Sequence, residues 1–210
     1  MEERLRSAGL EFTIVEALDA TELTELPKGT LTPKGLYAIW VSHARAMGAL
    51  VQDGGDYGLI LEDDAVLDHT MNWNIVNQDV RGFMCQNKFD FLQLGHIAAA
   101  YKDGALRTFA RNFRGERFPQ WQTKLNSRSV RILEGTTRAG MNAYVISREL
   151  AETLPSYNEP VWMGPNGFLE RFASAALHLG AMRLGTVIPS LVEQESRQSV
   201  GAPIDSDNLP

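Results

Sequence analysis

The chemistry-bearing residues of this chain concentrate in "YGLILEDDAVLD", residues 57 to 68, where Glu62, Asp63 and Asp64 stand between two apolar pieces. Leu59, Ile60 and Leu61 form a short continuous apolar run of the kind a buried strand shows. In open α/β sheets ligands gather at the carboxyl ends of strands, which is where these carboxylates fall. If the extended conformation persists, Glu62 and Asp64 point to one side, about 7 Å apart, and Asp63 points to the other. Ionised carboxylates beside apolar segments need compensation, because an unpaired buried charge is very costly. A hard divalent cation, magnesium or manganese, supplies it through oxygen ligands, typically one or two carboxylates plus substrate phosphates. The competing reading is a solvated acidic loop adjoining a strand, and spacing alone leaves both open.

The elements around the cluster read as α/β. Thr32 can cap a helix, Pro33 suits its first turn, and Gly54 or Gly55 can end it. Between them Leu36, Trp40, His43, Met47 and Leu50 make one apolar stripe. His43 is therefore either a hydrogen-bonded structural histidine or a group presented near the acidic site. Further strands are expected at Glu11 to Ala17, at 89 to 94, at "VRIL" and "NAYVIS", and at "MRLGTVIP". Helices are expected from Ser147 to Leu154 and over "GPNGFLERFASAALHLG", with Phe168, Leu169, Phe172, Ala176 and Leu179 on one face. Residues 1–200 are expected to form one domain with a mostly parallel central sheet flanked by helices, and 201–210 a polar tail.

Charge and cysteine usage bound the function. A net charge of -6 over 210 residues speaks against a generally basic, nucleic-acid-coating protein. Locally the balance reverses: from Tyr101 to Arg131 eight lysines or arginines face only Asp103 and Glu116, with Tyr101, Phe109, Phe113, Phe118 and Trp121 among them. That segment has no clean periodicity and reads either as a solvated loop or as a platform for an anionic acceptor, such as a glycan, a glycolipid or a nucleic acid. Cys85 is alone, which excludes a disulfide framework within the chain. With no apolar run of membrane-spanning length and no signal-peptide pattern, a cytoplasmic location is expected.

Several segments in order resemble glycosyltransferase family 25, the lipopolysaccharide-type sugar transferases related to collagen galactosyltransferases. They are "GLEFTIVEALDATEL", "LTPKGLYAIWVSHARAMGALVQDGGDYGLILEDDAVL", "FDFLQLG", "GMNAYVISRELAETL" and "VIPSLVEQESRQSV". The resemblance implies a GT-A fold, expected here without its usual first strand, and a hexosyltransferase type of activity. It also implies a nucleotide-sugar donor, a divalent metal, Mn or Mg, and inversion at the anomeric carbon. Carried over by position, Asp64 is the direct metal ligand, with Glu62 and Asp63 at the ribose or the metal waters, and Glu62 a second ligand candidate. His43 belongs to the "SH" phrase and is placed with the donor-binding residues. Inversion requires a carboxylate base. Trp162 stands where the family's "PvD" phrase has its Asp, so the base is sought nearby, at Glu159 or Glu170. Two other classes compete with this reading: a metal-dependent phosphoryl-transfer or hydrolytic enzyme, and a non-catalytic nucleotide-sugar-binding relic.

Overall fold

A computed structural model of the chain describes residues 1–96 and 119–195. The elements run α1 (Glu2–Ser7), α2 (Lys34–Asp53), β1 (Tyr57–Leu61), β2 (Ala65–Leu67), α3 (Trp73–Asn87), β3 (Phe91–Gly95), β4 (Gln120–Leu125), β5 (Arg128–Glu134) and β6 (Ala143–Ser147). They continue with α4 (Arg148–Thr153), α5 (Pro165–Leu179), β7 (Leu184–Ile188) and β8 (Val192–Gln194). The sheet is ordered β1-β6-β3-β7-β5-β4, with β8 pairing both β2 and β3.

The sheet is mostly antiparallel, which corrects the expected parallel one. Only β3–β7 and β3–β8 run parallel, whereas β6 lies antiparallel between β1 and β3. The reason lies in what a continuous apolar run reports. Every residue of β3 and β6 is buried because helices cover both faces, and two covered faces demand apolar residues whichever way the strands run. Alternation then sorts the side chains. Leu92, Leu94, Ala143 and Val145 face a core built on Trp73, Val76, Val80 and Met84 of α3. Phe91, Tyr144 and Ile146 face the opposite core, with Trp40 and Met47 of α2, Leu150 of α4 and Phe168 of α5.

α2 ends as expected, on Gly54 in the left-handed conformation (φ 78°). Its N-cap is Pro33 rather than Thr32, and the Thr32 hydroxyl is buried without a partner among the described residues. α3 was absent from the sequence reading, although Trp73, Val76, Val80, Phe83 and Met84 recur at helical steps behind an Asn72 cap whose side chain accepts from the amides of Asn74 and Ile75. No strand forms at Glu11 to Ala17. That stretch is instead tied to α2 by side chains: the Leu18 amide donates to Ser42 Oγ (2.9 Å) and Arg45 donates to the Glu16 carbonyl (3.2 Å). On α5, Phe168 and Leu169 are buried as expected, but Leu179 is exposed at the last turn.

Part of the basic segment is an ordered hairpin, β4–β5, and not a loop. It is fastened at one end by Arg183, whose guanidinium pairs with both oxygens of Glu134 at 2.7 Å and stacks 4.7 Å from the rings of both Phe89 and Trp121. At the other end Arg128 donates to Asp68 (2.8 Å). Asp68 also accepts from the Thr70 hydroxyl and amide, and these bonds, with Arg128 adding, hold its carboxyl at about 2 instead of 3.8. A depressed carboxylate stabilises the fold fully above the unfolded value and loses that contribution as pH falls through the folded one. Acid unfolding between pH 4 and 2 should therefore be less steep in Asp68→Asn than in the unsubstituted chain, with lower stability at neutral pH, as followed by circular dichroism.

Candidate functional site

The acidic residues lie where β1 stops. Past Leu61 the chain does not stay extended: the Ala65 amide donates to the Glu62 carbonyl (3.1 Å), closing a turn over residues 62 to 65. The same-side spacing expected of Glu62 and Asp64 is therefore replaced by separate anchors. Glu62 turns toward α2, Asp63 is exposed, and Asp64 turns toward β8.

His43 is both hydrogen-bonded within the core and presented to the acidic turn. It is 6% exposed, and its Nε2 lies 3.2 Å from Glu62 Oε1 while its Nδ1 lies 3.1 Å from the Tyr144 hydroxyl. A carboxylate only accepts, so in the neutral ring Nε2 carries the proton and Nδ1 accepts from the tyrosine O–H. Burial, with the charge of Glu62 adding, pushes the Tyr144 phenol well above its ordinary range and keeps it a donor. The chain Tyr144 to His43 to Glu62 thus fixes one carboxylate oxygen and leaves Oε2 without a partner among the described residues. His43 reaches the site through Glu62.

Asp64 is held differently. Gln194 of β8 donates to its Oδ2 at 2.6 Å, while Oδ1 is buried and has no partner among the described residues. Burial pushes the Asp64 carboxyl up, and the neighbouring charges of Glu62 and Asp63 add to this, with the Gln194 bond opposing it. An orphaned, desolvated carboxylate oxygen suits a small hard cation, so Asp64 fits the role of ligand. Among the described residues no three His, Cys, Asp or Glu side chains converge to hold a metal ion. The fit is to a cation held by one or two carboxylates with other ligands brought by a substrate. Arg4 borders the turn, donating to the Ala65 carbonyl (3.4 Å) and pairing with Glu195 (2.7 Å).

Further polar groups gather at the same end of the sheet. His96 follows β3 and is 6% exposed, and burial, with the charge of Arg138 adding, brings it down to about 4. The Val187 carbonyl opposes that shift without meeting hydrogen-bond geometry, and among the described residues neither ring nitrogen has a partner. Buried Gln93 clamps the chain leading into β6: its Oε1 accepts from the Arg138 amide (2.7 Å), and its Nε2 donates to the carbonyls of Arg138 (2.9 Å) and Gly140. Glu159 and Glu170 are both exposed, Glu170 on α5, and neither forms a hydrogen bond or ion pair with the acidic turn. Lys102 to Arg117, including Arg111 and Arg114, lie outside the described residues.

Sequence reasoning missed Tyr144, Gln194 and Gln93. All three lie within the "NAYVIS", "VIPSLVEQESRQSV" and "FDFLQLG" phrases, yet nothing in spacing says that residue 194 returns to residue 64. Tyr144→Phe leaves His43 Nδ1 buried and unpaired, which should cost about 1–3 kcal/mol. A lowered urea midpoint at unchanged slope would show it.

Compared with known families, residues 1–165 match the model of glycosyltransferase family 25, described as an LPS biosynthesis protein. No curated protein matches the chain. Among the described residues no helix is long and apolar enough to cross a membrane.

Proposed function

Because the chain belongs to glycosyltransferase family 25, we propose that it is a metal-dependent glycosyltransferase that moves a sugar, of the hexosyl type, from a nucleotide-sugar donor to an acceptor hydroxyl with inversion. The observation that carries the metal-dependent part is the buried, partnerless Oδ1 of Asp64 at the carboxyl end of β1. Asp64, with Glu62 as the second carboxylate, is the residue that would hold magnesium or manganese. When bound, the cation would offset the charge that develops on the nucleoside diphosphate leaving group.

The remaining steps belong to the chain's own groups. Gln194 orients Asp64 so that one oxygen stays turned away from it. His43 and Tyr144 orient Glu62, whose partnerless Oε2 is available to accept from a donor hydroxyl. Asp63, exposed on the turn, completes the donor motif. Glu170 and Glu159 are the carboxylates carried forward as the base that takes the acceptor proton. The acceptor is proposed to be anionic, on the strength of the cationic run alone.

Manganese should raise the thermal unfolding midpoint of the unsubstituted chain and should permit hydrolysis of, or transfer from, a member of a nucleotide-sugar panel. Asp64→Asn removes a desolvated charge, so its metal-free midpoint should hold or rise while the manganese shift and turnover disappear. An unchanged manganese response in Asp64→Asn sinks the assignment. Arg111→Glu with Arg114→Glu should weaken acceptor use while donor hydrolysis persists; equal loss of both rejects the anionic acceptor.

A further inference from the structure

The turn that carries Asp64 is gripped by the last strand of the sheet. β2 follows the turn directly and pairs antiparallel with β8, Ala65 opposite Gln194, Val66 opposite Glu193 and Leu67 opposite Val192. One further backbone bond, from the Glu195 amide to the Asp64 carbonyl at 2.9 Å, carries the pairing up to Asp64 itself. Gln194 holds the Asp64 side chain at 2.6 Å, so residues 194 and 195 fix both its main chain and its carboxylate. The ladder that does this is short. At Val192 β8 also pairs with β3, through Gly95; among the described residues its Gln194 end has no second strand beside it. Pairing of two short strands alone is marginal in water, and this is the end where Asp64 stands.

Arg4 lies across that end. Its guanidinium donates through one nitrogen to the Ala65 carbonyl (3.4 Å) and through another to Glu195 Oε2 (2.7 Å). It thereby joins the residue after Asp64 to the residue after Gln194. A rigid fork with separate donors suits a bridge between two acceptors on different strands. The helix that carries Arg4 is placed by other contacts: Leu5 is buried, Met1, Ala8 and Leu10 pack on the core built on α3, and Asn74 of α3 donates to the Gly9 carbonyl (3.3 Å). Arg4 reaches the turn from a fixed base.

We propose that Arg4, paired with Glu195, is a positioning residue for the Asp64 carboxylate. It staples the β2–β8 ladder at the pair that carries Asp64 and Gln194, and so sets the geometry in which Asp64 meets a divalent cation. This rests on the metal-dependent reading above. Neither Arg4 nor Glu195 is assigned a contact with the cation. Their side chains are 37% and 53% exposed, so the ion pair adds little to global stability and its effect is local.

The test is manganese binding to the full chain, by calorimetry and by electron paramagnetic resonance of the free ion, at the site that Asp64→Asn removes. Arg4→Met, Glu195→Gln and the double variant are compared with the parent. Charge alone and positioning predict different signs. Through space, deleting a cation beside a cation site tightens manganese binding, and deleting an anion weakens it. Positioning predicts about three- to tenfold weaker binding in both single variants, and no further loss in the double variant, because the second substitution removes a staple already broken. Thermal midpoints of the metal-free variants should stay within about 2 °C of the parent's. Manganese binding in Arg4→Met as tight as the parent's, or tighter, overturns the proposal, as do losses that multiply in the double variant. Midpoints lowered by several degrees make the pair a support of the fold as a whole and overturn it too. Failure of the unsubstituted chain to show a manganese site that Asp64→Asn removes overturns the metal-dependent reading itself, and is seen before Arg4 or Glu195 is changed.

Discussion

The acidic end of this protein's sheet depends on one constraint, the antiparallel pairing of β6 with both β1 and β3. Because β6 is central and buried on both faces, its register cannot slip by one residue without turning Tyr144 and Ile146 into the wrong core. That register puts Glu62 beside Asn142, sets Tyr144 under His43, and ends β1 where the chain must turn away. The positions of the acidic side chains therefore follow from how two apolar cores are filled, and the chemistry inherits its precision from packing.

Different anchors give the two carboxylates different characters. Glu62 has one oxygen tied through His43 to a phenol that burial keeps protonated, so its orientation is fixed while its other oxygen is idle. Asp64 has one oxygen tied to Gln194 and the other desolvated and unpaired, so its ionised form is penalised in the free chain. A carboxylate that disfavours its own charge is a cost to the fold, of the kind that a conflict between stability and function leaves behind.

The helices that carry the site were legible where periodicity and end signals coincide, as in α2 with its stripe and Gly54. α3 shows the same pattern after Asn72 and could have been read. Strand direction was not legible, because the burial of "FLQLG" and "AYVIS" reports two covered faces and says nothing about polarity. The acidic cluster announced itself by composition. Its local geometry did not, since a single bond from Ala65 to the Glu62 carbonyl converts an extended spacing into a turn. Gln194 was beyond reach for another reason: it meets Asp64 across 130 positions, through β8 pairing with β2, and no local pattern encodes that return.

The two ends of the sheet treat buried polar groups in opposite ways. Where β3 and β7 begin, Arg183 and Glu134 satisfy each other bidentately, two aromatic rings flank the guanidinium, and the Asn87 carbonyl accepts from it. Where β1 and β3 finish, Asp64 Oδ1, both ring nitrogens of His96 and both amide atoms of Asn142 are buried without partners among the described residues. Folding alone selects against such groups, since each carries a desolvation penalty that a fully paired or apolar neighbourhood would avoid. They gather at the end of the sheet where β1 and β3 stop and the acidic turn begins. The same chain builds a fully satisfied ion pair at its other end, so the contrast between the two ends is local and does not follow from the fold as a whole.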